Sequence, residues 1–109
     1  MKSIVMLAAL TTLSAPVDRM SESEKFREVQ KVEEALYVCV SEAVRTDVRY
    51  GRAPLNELVQ YAVTEPCLMH ARAAVSANDH YFGAGAGEKF FEQYLDAAVS
   101  TVSSMLDNR

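Results

Sequence analysis

The chain has 109 residues, half of them hydrophobic and 24% charged, with a formal net charge of -4. That length suits one domain with one modest core, and the apolar share argues against disorder. The acidic balance speaks against general nucleic-acid binding, which needs a clustered positive surface. With no Trp, four Gly and three Pro, the composition favours helix over sheet.

Met1-Lys2-Ser3 precedes an uncharged, mostly apolar run over residues 4–13. The run is too short to cross a membrane as a helix, which takes ~20 residues. One positive charge followed by a short apolar stretch has the pattern of a secretory signal. Small residues follow, and cleavage after Ser14 puts Thr12 and Ser14 at the two positions that want small side chains. Residues 1–14 therefore read as a signal peptide, 15–20 as a linker and 21–109 as a single helical domain, with no stable membrane span after processing. The alternative is an uncleaved segment that packs on the domain or lies on a membrane surface. No Asn-x-Ser/Thr acceptor occurs, so sequon glycosylation is not expected.

Ser21 with Glu24 three residues on has capping-box spacing and predicts a helix start. Val29, Val32, Leu36, Cys39, Ala43, Thr46 and Tyr50 then recur at three- and four-residue steps, one helical stripe. Leu36, Val40, Val44 and Val48 widen it. Tyr37-Val38-Cys39-Val40 suits a strand by propensity, but the long periodic context outvotes it. Arg45, Arg49 and Arg52 form a basic run at the expected end of this helix, where cations complement the dipole. They are also candidates for docking an acidic partner.

Gly51 stops the first helix and Pro54 opens the second, the usual asymmetry of helix ends. Leu55, Val59, Val63, Cys67, Ala71 and Ala74 form the next stripe. Pro66 removes a backbone donor and predicts a kink or a split near Thr64-Glu65. Asn78-Asp79-His80 ends this arm, and Gly83-Ala84-Gly85-Ala86-Gly87 reads as a flexible connector. Tyr81 and Phe82 beside it are expected to be exposed, the first aromatic pair to test as an interface. A third helix is expected from Glu88, with Phe91, Tyr94, Leu95, Ala98, Val102, Met105 and Leu106 facing inward. The fold class that follows is all-α, a three-helix up-down-up bundle with a kinked second helix.

Cys39 and Cys67 stand at similar distances either side of the Gly51 turn. At ~1.5 Å rise per residue each lies roughly 18–20 Å from the bend, near one level of an antiparallel hairpin. A disulfide between them is expected, structural rather than redox-active, because both read as mid-helix residues on apolar faces instead of a Cys-x-x-Cys at a helix start. Such a bond belongs to an oxidising compartment.

Other chemistry finds little footing. Cys67-x-x-His70 and His80 are the residues a metal would draw on, but a zinc site needs three or four ligands and no second paired motif occurs. The glycine run lacks the spacing of a phosphate loop or a dinucleotide fingerprint. There is no Gly-x-Ser-x-Gly elbow, and no acid interrupts an apolar stripe. No catalytic residue, metal or cofactor is expected. The sequence points to a periplasmic or secreted helical protein acting by protein–protein contact, or as a structural accessory, with an unidentified protein partner. The alternatives are a cytoplasmic helical adaptor or regulator with reduced cysteines, and a small metal- or ligand-binding bundle.

Overall fold

The computed structural model describes residues 17–107. The expected signal peptide lies outside them. Val17–Arg19, within the expected linker, forms a single 3-10 turn, closed by the Met20 N–H donating to the Val17 carbonyl at 3.1 Å.

Helix α1 spans Glu22–Thr46. The capping box forms: the Glu24 N–H donates to Ser21 Oγ, and the Ser21 N–H donates to Glu24 Oε1, both at 3.2 Å. Bonding to Ser21 also holds the Glu24 carboxyl below the usual range. Of the two expected stripes, the second goes deepest, with Leu36, Val40 and Val44 buried together with Val29. Val32, Cys39 and Ala43 pack at its edge. The helix stops at Asp47, before the expected Gly51. There the Asp47 carboxylate accepts the Arg49 backbone N–H at 2.8 Å, a local turn bond that competes with helix continuation. Thr46 and Tyr50 are consequently exposed, and Val48 is 86% exposed.

The second arm is two helices rather than one kinked helix: α2, Leu55–Thr64, and α3, Leu68–Phe82. Among the described residues the bundle therefore has four α-helices, not three. Pro66 has no N–H to give to the helix, and Glu65 leaves helical geometry at φ -120°, ψ -89°. The Cys67 N–H reaches back to the Ala62 carbonyl at 2.8 Å across the break. Leu58, Val59, Ala62, Val63, Cys67, Ala71 and Ala74 are buried along the two segments.

Helix α3 runs past the expected Asn78-Asp79-His80 end to Phe82 and stops at Gly83, φ 101°. Helix α4, Ala86–Asp107, starts two residues before Glu88. Tyr94, Ala98 and Val102 are buried on it. Helix α1 packs on α2, α3 and α4, and α3 on α4. The Tyr37 ring packs at a tilt against Tyr94, and Ser41 Oγ meets Met105 Sδ at 3.3 Å, so α4 runs parallel to α1. Phe26 near the start of α1 touches Phe82 at the end of α3, so the second arm runs antiparallel to both. The three arms keep the up-down-up path, and no strand occurs among the described residues.

Candidate functional site

The sulfurs of Cys39 and Cys67 lie at bonding distance, with Cα atoms 5.9 Å apart, inside the span a disulfide covers. Cys39 comes from the middle of α1. Cys67, expected in mid-helix, instead holds the N-cap position of α3, because Pro66 has ended the preceding helix. That proline was the signal in the sequence: a residue directly after a helix break opens the next helix.

The two sulfurs have unlike surroundings. Cys67 is fully buried among core residues. Cys39 is half-buried and lines a groove of about 730 Å³ with Lys31, Glu34, Val38, Glu42 and His70. Its lining comes from α1 apart from His70 of α3, and mixes apolar with charged residues. Val38, which the stripes leave outside the core, is 51% exposed there.

The metal candidates do not come together. Cys67 is bonded to Cys39. His70 and His80 are ten residues apart on α3, about 15 Å along its axis. His80 stacks edge-on against Tyr81, ring centroids 4.8 Å apart. Among the described residues no group of three or more His, Cys, Asp or Glu is placed to hold a metal ion.

The candidate interaction residues split between opposite ends of the bundle. Arg45, Arg49 and Arg52 lie where α1 gives way to the turn. Arg45 pairs with Glu42, and Arg49 pairs with Asp47 at 2.9 Å. The Arg49 hydrogen bonds hold the Asp47 carboxyl below its usual range. The Arg49 guanidinium also sits 5.0 Å from the Tyr61 ring centroid. Arg52 is exposed. Two of the three cations thus each pair with an acidic neighbour.

Tyr81 and Phe82 lie at the other end. Both are half-buried rather than exposed, because Tyr81 leans on His80 and Phe82 packs on Phe26 at 5.4 Å between centroids. The exposed member of that cluster is Phe26, at 64%. It sits in the first turns of α1, off both apolar stripes.

Two polar residues that the sequence suggested as helix terminators hold this end together instead. Asn78, buried on α3, donates through Nδ2 to the Ala74 carbonyl at 2.9 Å and to Glu33 Oε2 of α1 at 3.2 Å. Asp79 Oδ1 accepts the N–H groups of Gly85 at 3.1 Å and Gly87 at 2.9 Å. It thereby satisfies amides at the start of α4 that have no partner within the helix. The connector, expected to be flexible, forms a hydrogen-bonded turn here.

No described helix is long and apolar enough to cross a membrane. Comparison with protein-family models, with curated proteins and with solved structures found no match.

Proposed function

We propose that this chain is an exported, non-enzymatic helical domain that acts by protein–protein contact or as a structural accessory outside the cytoplasm. The Cys39–Cys67 pair carries the reading. It ties α1 to the start of α3, and bonds of this kind persist in oxidising compartments. The signal-like residues 1–14 support export independently, through one positive charge followed by a short apolar run. Exposed Phe26, Val38 and Met69 leave apolar surface on α1 and α3 for a partner.

The test is the intact mass of the protein from its own cells, alkylated under denaturing conditions with and without prior reduction. Loss of about fourteen residues, with both cysteines blocked until reduced, is the expected result. A full-length chain with two free thiols would overturn it and bring forward the cytoplasmic adaptor with reduced cysteines.

A further inference from the structure

We infer that Cys39 is a site of thiol–disulfide exchange, the point at which an outside thiol opens the clamp and becomes covalently attached. The inference rests on the bonded cysteine pair of the proposed reading and goes beyond its structural role. Exchange needs a thiolate to approach one sulfur along the S–S axis, so access decides which sulfur is attacked. Cys67 is 0% exposed. Cys39 is half-buried and lines the groove with Val38 and His70. The groove is open to solvent, so a small peptide thiol can approach its lining.

The step balances without any further reagent. The incoming thiolate sulfur forms a bond to Cys39 Sγ, the Cys39–Cys67 bond breaks, and its electron pair leaves on Cys67 Sγ. The products are a mixed disulfide on Cys39 and a thiolate at Cys67. A second thiol of the same kind then takes the first off Cys39, giving the external disulfide and a reduced chain.

The leaving sulfur stands at the N-cap of α3. The first-turn amides and the positive end of the helix dipole favour an anion there. The apolar surroundings of Cys67 oppose that charge. Attack from the other side would need an opening of the core around Leu36, Val63 and Ala71, which are buried with Cys67. The pair is therefore asymmetric: one sulfur receives, the other leaves.

The experiment uses the oxidised wild-type protein and reduced glutathione under native conditions, with acid quenching, alkylation of free thiols and peptide mapping. Glutathione should be found on Cys39 with Cys67 alkylated, favoured roughly tenfold or more over the reverse because access differs. The rate should stay flat when urea is added below the unfolding transition. Glutathione shared evenly, or carried by Cys67, would overturn the assignment. So would a rate that climbs with the first additions of urea, since the reaction would then pass through unfolded chain. Two alkylatable thiols in untreated protein would instead sink the clamp and this site together, a result distinct from the others. As a second reading, Cys67→Ser should leave Cys39 reactive to a native-state disulfide reagent, while Cys39→Ser should leave Cys67 unreactive until the chain unfolds.

Discussion

Single residues here act through what surrounds them rather than through their type. Gly87 lies inside α4, where Ala would ordinarily gain ~1 kcal/mol over Gly. A Cβ at this position would overlap the Val75 carbonyl oxygen and stand 2.6 Å from Val75 Cγ1 and 2.9 Å from its carbonyl carbon. The obstacle is α3 backbone, which cannot swing aside like a side-chain tip. Overpacking therefore wins, and Gly87→Ala should lower stability by about 1–2 kcal/mol net, read as a lower urea midpoint at unchanged slope. Tyr94 presents the opposite case. Its ring is buried against Tyr37 and Phe90, while its hydroxyl is buried with no hydrogen-bond partner among the described residues. Burial first, and Tyr37 second, push its pKa above the usual phenol range. Burial raises Tyr37 in the same direction, opposed by a hydrogen bond with Thr101. The folded chain keeps phenol protons that the unfolded chain releases above pH 10.0, the ordinary value. The unfolded state then binds fewer protons, so this contribution to stability is whole below that pH and falls as pH rises further. Tyr94→Phe should match or exceed wild-type stability at neutral pH, and should shrink the alkaline loss in denaturation curves taken on both sides of pH 10.0. A clear loss at neutral pH would mean that the hydroxyl finds a partner after all.

Helix ends decide most of what happens between elements. Asp79 gathers the Gly85 and Gly87 amides onto one carboxylate oxygen, which joins the last turn of α3 to the first of α4. Asp79→Ala should cost about 1–2 kcal/mol, the upper range for a lost cap, and Asp79→Asn should recover most of it by keeping an oxygen acceptor; urea titration followed by helical circular dichroism checks both. The start of α1 was legible in the sequence because the Ser21–Glu24 box uses only near neighbours. The inward faces were legible too, since the stripes through Leu36, Val59 and Ala98 repeat with the helix. What was not legible depended on bonds across the connections. The first stripe continued through Thr46 to Tyr50, yet Asp47 diverted the backbone into its own turn. Asn78 and Asp79 looked like helix terminators, but the Asn78 amide bonds back into the helix and across to Glu33, and the Asp79 carboxylate bonds forward. The glycine run looked loose because close approach to Val75 leaves no trace in periodicity. The Cys39–Cys67 match was readable from spacing, whereas the N-cap placement of Cys67 needed the break at Pro66 to be taken as a split and not a kink.

At the scale of the whole molecule, three arms share one core and the cysteine pair crosses between two of them. The bond joins residues 28 apart in sequence, tying the middle of α1 to the junction of α2 and α3. Without it the unfolded chain gains the freedom of that loop, worth about 3–4 kcal/mol in the chain-entropy model. Domains of this size hold only about 5–15 kcal/mol in total, so the clamp is a large share. The core on either side is built mainly from Val and Ala, with Leu36, Leu58 and Tyr94 as its larger members. Small side chains bury less apolar surface each, and so leave less in reserve when the cross-link is lost. Reduction, or paired Cys39→Ser and Cys67→Ser substitution, should therefore lower the unfolding temperature by about 15–25 °C. The break at Pro66 is where loosening should begin, because α2 and α3 are joined there by few backbone bonds and are held to α1 through the neighbouring Cys67. Hydrogen exchange on the reduced protein should then show the amides of residues 62–70 losing protection ahead of those in the middle of α1. A fall of only a few degrees, with those amides still protected, would mean that the Val- and Ala-rich core holds the arms together without the cross-link.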